Sequence, residues 1–460
     1  LTALQPALDF DATNDLSNLS VRRDDTVTSA LGTQYRRIEL AQRYANAPVD
    51  GGVVLAFIDS QLASVDGPVL VRQPTENPDT VYPVPSPVTY PTWPISTGMV
   101  DGEVVVGRAT DLVPGSTLQV EHVATRVYAQ DSSTYLLAEP GHLRIYNAGV
   151  NEGGTLGFTT RSCPTCFDDA PPATPTPANP TPTASAAYRE QAAYIATLQA
   201  AALRDHGASL FAPDTSAPVL VVTGCTFNDG SSAKFMPKYF APSVQSLCGG
   251  TLPTTIDGLA AETYPVIVLQ TLDTDTTIHE YGHLVDEFYS GMGHGMVQRD
   301  AKCPTGTPIT QNSEALARLY EALGRNVAWG TAIFPTTASA PTDPQAHTST
   351  ATLLTHPFNN SCAGANRYDL SRPGQQVIRE LATNTNAAPA APWDTTQGAL
   401  ADTEAARLAV LEAYFFAAKF MHSDASMPQL FDRIEQYYRV YHGDDAARYV
   451  SAVIAHHALD

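Results

Sequence analysis

The sequence predicts a multidomain chain: an N-terminal all-β sandwich or barrel over residues 1–166, a Pro/Thr-rich linker over 167–187, and an α+β domain with a helical C-terminal subdomain over 188–460. Three observations predict it. The segment from Ala170 to Ala187 reads APPATPTPANPTPTASAA, a composition that excludes regular structure and favours an extended spacer. Before it, short apolar runs alternate with Gly, Pro, Asp and Asn at the spacing of an all-β domain. After it, helical periodicity takes over, interrupted by two short β-branched runs.

Taken in order, Val53–Ile58, Pro68–Val71, Glu103–Val106, Ser116–Val120 and Tyr135–Leu137 read as strands. Asp50-Gly51-Gly52, Val65-Asp66-Gly67 and Asp101-Gly102 read as the turns between strands. Tyr188–Arg204 is rich in Ala and Leu at helical spacing and predicts an amphipathic helix. Pro218–Thr223 (PVLVVT) and Pro265–Gln270 (PVIVLQ) predict buried strands. Arg372–Thr383, Thr403–His422, Pro428–Tyr441 and Asp445–His457 predict helices, with Tyr414-Phe415-Phe416, Phe420 and Tyr437-Tyr438 as their core.

Composition narrows the function. Of 460 residues, 26 are Lys or Arg and 47 are Asp or Glu, a net charge of −21 that repels polyanions and argues against nucleic acid as a partner. No run of 18 or more apolar residues occurs, so no membrane insertion is expected. Six cysteines in an acidic, proline-rich chain suit three disulfides in an oxidising compartment, the alternative being buried free thiols. Cys163-Pro-Thr-Cys166 reads as a small disulfide loop rather than half of a zinc ribbon or a redox motif, since no second CxxC follows. Local closure favours Cys225 with Cys248 and Cys303 with Cys362 over a crossed pairing. The start at Leu1-Thr2 is what a mature secreted protein shows after cleavage, so a secreted, extracellular or cell-surface location is expected.

Chemistry concentrates directly after PVIVLQ, where TLDTDTTIHEYGHLVDE contains an HExxH motif, His279-Glu280-Tyr281-Gly282-His283. Asp275 or Thr276 can cap a helix there. Four residues return a helix nearly to the same face, so His279 and His283 can offer two imidazole nitrogens to one tetrahedral Zn²⁺, with Glu280 beside the open position. Gly282 is costly inside a helix, by about 1 kcal/mol, and signals a close approach.

A strand followed by a helix bearing HEYGH resembles the zincin metallopeptidases. That resemblance implies a twisted sheet, an active-site helix and a helical subdomain closing the cleft, over about residues 188–460. The metzincin continuation is excluded, because Asp286 stands at its glycine position and Tyr289 at its third histidine position. HEYGH followed by DEFY also resembles the HExGH…DEY run of bacterial immunoglobulin-cleaving zinc peptidases, at a shorter interval. The gluzincins present their third ligand on a second helix, which here points to Glu314 in NSEALARLYEAL; Arg318 then occupies the place of the aspartate that thermolysin-type enzymes put behind the first histidine. A different second shell is needed, with Asp286 and Glu287 as candidates to orient His283.

Alternatives stand beside these assignments. Glu314 is also an ordinary first-turn glutamate, and His294 in Ser-Gly-Met-Gly-His-Gly is the competing third ligand or an oxyanion donor. His347, His356, Tyr368, His422, His442, His456 and His457 are further candidates for a transition-state hydrogen bond, each more simply a surface or packing residue. Asp273-Thr-Asp275 and Asp444-Asp445 can hold Ca²⁺, though capping explains them equally. The resulting expectation is a secreted zinc endopeptidase acting on protein or peptide with Glu280 as general base. Its rivals are a zinc hydrolase of a glycoprotein or another amide, and a non-catalytic adhesion protein on a zincin scaffold.

Overall fold

The computed structural model describes residues 19–28, 34–44, 47–59, 69–71, 98–109, 118–139, 143–172, 184–207, 218–228, 231–256, 259–270, 274–289, 311–327, 372–383, 403–419 and 427–457. The chain opens with β1 (Leu19–Thr28), β2 (Gln34–Tyr44), β3 (Ala47–Asp59) and β4 (Val69–Val71), an antiparallel sheet in that order. The expected turn at Asp50-Gly51-Gly52 lies inside β3. The pairing steps from Ala41↔Val53 to Arg43↔Pro48, so the turn residues form a bulged excursion rather than a strand connection.

Next come β5 (Met99–Ala109), β6 (Leu118–Ala129), β7 (Tyr135–Leu136), β8 (Ala138–Glu139), β9 (Leu143–Glu152), β10 (Thr155–Gly157) and β11 (Thr160–Arg161). Asp101-Gly102, expected to turn, sits within β5. The glycine is there for closeness: a Cβ at Gly102 would lie 2.5 Å from the Pro164 carbonyl oxygen, and the neighbouring Glu103 N–H donates to that carbonyl at 3.2 Å. One sheet runs β11-β7-β6-β5, whereas β8, β9 and β10 belong elsewhere.

They belong to the central sheet, with strands from beyond the Pro/Thr segment. After α1 (Ala186–Gly207) come β12 (Val219–Thr223), β13 (Ala233–Met236), α2 (Ala241–Cys248), the ribbon of β14 (Thr255–Ile256) and β15 (Leu259–Ala260), and β16 (Val266–Leu269). The order is β10-β9-β12-β16-β13, with β9, β12 and β16 parallel and β13 antiparallel at the end. Every residue of β12 and β16 is buried, as continuous β-branched runs predict for strands covered on both faces. Side chains alternate: Leu143, Ile145, Val219, Val221, Ile267 and Leu269 enter one core, and Tyr146, Leu220, Val222, Val266 and Val268 the other.

The expected boundary at 166/188 therefore does not divide the sheet. Asn147 of β9 donates through Nδ2 to Thr223 Oγ1 at 2.9 Å and to the Ala186 carbonyl at 2.7 Å. Phe167, placed by sequence in the linker, is buried at 1% exposure, and residues 173–183 lie outside the described residues. Val104 and Val106 of β5 and Val127 of β6 share one core with the C-terminal helices.

Those helices are α3 (Thr274–Tyr289), α4 (Gln311–Val327), α5 (Arg372–Thr383), α6 (Thr403–Lys419) and α7 (Met427–His456). Gly443, at φ 89°, breaks α7 into the two helices expected there. Tyr414, Phe415, Phe416, Tyr437 and Tyr438 are buried, as expected, and Tyr437 donates to the buried Glu412 at 2.6 Å. Tyr35 of β2 meets Tyr441 edge-on at 6.1 Å, which brings the first sheet against α7. Disulfides join Cys163 to Cys166 and Cys225 to Cys248, as expected; Cys303 and Cys362 lie outside the described residues. No described helix is long and apolar enough to cross a membrane.

Two predictions follow from α1 and the shared sheet. A chain cleaved at a protease site engineered after Ala178 should elute from gel filtration as one species under native conditions, separating only in denaturant. The two-domain expectation requires instead that the fragments part on cleavage. On α1, burial raises the Glu190 carboxyl from 4.5 to about 7, although the Thr159 N–H and hydroxyl (both 2.8 Å), Arg161 and Arg189 all oppose this. A raised carboxylate pKa contributes stability fully present below the unfolded value and lost as pH rises through the folded one. Relative to the wild type, Glu190→Gln should therefore gain up to about 3 kcal/mol between pH 4 and pH 8, read from urea midpoints at each pH.

Candidate metal centre

α3 follows β16 and spans Thr274–Tyr289; the glycine-rich run Gly291–Gly295 expected to break it lies outside the described residues. Asp275 lies in its first turn. His279 and Glu280 are each 7% exposed, and His283 is half-buried. The His279 and His283 rings stand 5.0 Å apart, centre to centre, at 88°. Two imidazoles bound at adjacent positions of a tetrahedral zinc, with Zn–N of about 2.1 Å, put their ring centres about 5 Å apart, so the pair fits.

α4 packs antiparallel to α3. Gly282 makes the contact: a Cβ there would meet the Ala317 Cα and the Tyr320 Cβ, both at 2.9 Å. Further along, a Cβ at Gly324 would meet Ile278 at 2.8 Å. The register that results sets Glu321 opposite His279. Glu321 Oε2 lies 3.4 Å from His279 Nδ1, and Arg318 Nη1 donates to the same oxygen at 2.6 Å. Glu321 is 2% exposed, so its charge is held by Arg318 and directed at the imidazole. The contact is at ion-pair distance; a hydrogen bond from Nδ1 to this carboxylate would favour the tautomer that leaves Nε2 for a metal.

Glu321 was not assigned by sequence. Arg318 fills the place of the expected aspartate, and the carboxylate is supplied one turn later by its own i+3 neighbour. The residue was present in NSEALARLYEAL, but it is the inter-helix register that brings Glu321 to His279.

Asp286, expected behind His283, is 5% exposed and close enough to Tyr414 that its charge adds to burial in raising that phenol. Glu314 and Glu287 lie on α4 and α3, but their side chains are outside the described residues, as are His294, His347, His356, Tyr368, His422 and Asp273. Glu314 precedes Glu321 on α4 by seven residues, about two helical turns. Among the described residues no three His, Cys, Asp or Glu side chains converge as a metal cluster.

The remaining candidates are engaged elsewhere. Burial lowers His442 to about 4, against Tyr437 and Tyr438. His457 lies 2.8 Å from the buried Glu380, and His456 packs on His457. Asp444 pairs with Arg439, and Asp445 with Arg448.

From the other side, Arg204 of α1 donates to the Tyr281 hydroxyl at 2.7 Å. Burial works against its charge, but Tyr281 and Asp205 offset this and hold Arg204 above its usual range. Tyr281 itself is pushed up to about 12, chiefly by burial. From the sheet, Phe235 of β13 stacks on His283 at 6.3 Å and 14°.

The fold and site thus define a mixed α/β protein whose central sheet leads into a helix presenting two histidines and a glutamate. No protein-family model matches the chain, and no curated protein matches it.

Gly282→Ala should destabilise the protein. The gain of about 1 kcal/mol in helix propensity is outweighed by overpacking of about 1–3 kcal/mol against backbone that cannot rotate away. Thermal unfolding checks the sign, and an unchanged or raised midpoint would refute the close-contact account.

Proposed function

We propose that this chain is a zinc-dependent endopeptidase of the zincin type, gluzincin-like in using two helices, and that it works outside the cell. The observation that carries the reading is the His279–His283 pair at zinc-compatible spacing, with Glu280 between them and the Glu321 carboxylate behind His279. The two disulfides and the helical C-terminal half support it, as does the antiparallel β13 at the end of the sheet beside α3.

His279 and His283 would hold zinc, with Glu314 as the preferred third ligand and His294 as its rival. When bound, zinc lowers the pKa of a coordinated water toward neutrality and polarises the scissile carbonyl. Glu280 accepts the proton as the water attacks and delivers it to the leaving amine nitrogen. Glu280 is 7% exposed, so the carboxylate is enclosed on α3 beside the two histidines. Glu321 faces Nδ1 of the His279 ring, and Arg318 donates to the same Glu321 oxygen. A polypeptide paired with β13 as a further strand would run along the helix that carries these groups.

The test is turnover of casein or a fluorogenic peptide, lost on chelation and restored by zinc. Glu280→Gln should retain zinc and lose at least about a hundredfold in kcat. Zinc content also decides the third ligand: Glu314→Ala should weaken binding about a hundredfold or more while His294→Ala largely retains it, and the reverse would transfer the role. Zinc bound at full occupancy with no hydrolysis of any peptide or glycoprotein would favour the non-catalytic adhesion reading.

A further inference from the structure

The two histidines of α3 have different neighbours: His279 faces the Glu321 carboxylate, and His283 faces the Phe235 ring of the sheet. Gly282 locks the α3 backbone against α4, so the positions from which both imidazoles project are fixed. The planes of the rings are not fixed by this, because χ2 of histidine is broad and nearly two-fold. For His279 the Glu321 carboxylate supplies the constraint.

We propose that Phe235 is the positioning residue for His283, setting the plane of its imidazole through the stack from β13. β13 pairs with β16 through Phe235↔Ile267, which fixes the strand beside the buried parallel sheet. Strand alternation turns Ala233 and Phe235 toward the core shared with α3, and Met236 toward the opposite core. The Phe235 ring lies 14° from parallel to His283 with centres 6.3 Å apart, an offset stack. His279 meets the same imidazole at 88°. One parallel and one perpendicular neighbour restrict His283 to a single plane. An aromatic wall also does what a second carboxylate would not: it orients the ring without adding negative charge to a site that already contains Glu280 and Glu321.

The inference rests on the zinc reading above and concerns metal geometry, so it is tested without turnover. Zinc affinity of the full chain is measured by chelator competition, and coordination by the visible absorption of the Co²⁺-substituted protein. Phe235→Ala should weaken zinc about tenfold, the scale expected when a residue orienting a ligand is lost, and should weaken and broaden the Co²⁺ bands. Phe235→Leu keeps the bulk without the flat face and should behave alike, so it carries the test if the alanine variant does not fold. Phe235→Tyr retains the ring and should restore wild-type affinity and spectrum. Wild-type affinity and bands in both Phe235→Ala and Phe235→Leu would overturn the inference alone, as would failure of Phe235→Tyr to restore them. A wild-type chain that binds neither zinc nor Co²⁺ would overturn the zinc reading and this inference together.

Discussion

At Gly282 the backbone of α3 comes so near α4 that any side chain would meet the Ala317 Cα and the Tyr320 Cβ at 2.9 Å. That contact sets the spacing and register of the two helices, and the site inherits both. On one side of it Ile278 fits against Gly324, so each helix contributes a glycine where the other approaches. Glu321 comes to lie 3.4 Å from His279 Nδ1. Had α3 carried a larger residue at 282, the carboxylate would have been displaced from the imidazole along with the rest of α4.

Close packing also makes the electrostatics consequential. Glu321 is almost wholly buried, where an isolated carboxylate is costly, and Arg318 supplies the compensating charge from the same helix. On the opposite flank of α3 the buried cation is Arg204, satisfied by Asp205 and by the Tyr281 hydroxyl. The motif helix is thus gripped by a carboxylate on its histidine side and by a guanidinium on its tyrosine side. Removing one member of such a set costs more than the set contributes, because the remaining charge stays buried.

What was legible in the sequence depended on range. HEYGH announced a helix and a shared face through spacing alone, and Gly282 announced a close approach through its cost in a helix. PVLVVT and PVIVLQ were readable as buried strands because strands covered on both faces need no polar alternation. The kink at Gly443 and the two disulfides were local events and equally readable. Glu321 was not, since its role depends on the register between α3 and α4, which no pattern within either helix encodes. β9 was missed for a related reason. Leu143, Ile145 and Tyr146 are a modest strand signal, and their partner Val219–Thr223 lies beyond a Pro/Thr segment whose composition suggested a boundary. Composition describes what a segment can do locally, whereas the sheet is decided by which edges meet.

α1 runs as a rod between the N-terminal strands and the site. At its first turns the Tyr188 hydroxyl accepts from the Gly107 N–H, Gln191 donates to the Val105 carbonyl, and Glu190 accepts from Thr159. Near its end Arg204 donates to Tyr281 inside the histidine motif. These ends are 14 residues apart, about 21 Å of helix, beyond contact and with only weak Coulombic influence on each other. Communication along such a rod would have to be mechanical, and a helix buried in one continuous core resists bending. The arrangement therefore favours rigidity at the histidines: three elements, α1, α4 and β13, fix α3 from three directions, and each is itself fixed by the core that the N-terminal strands help to close.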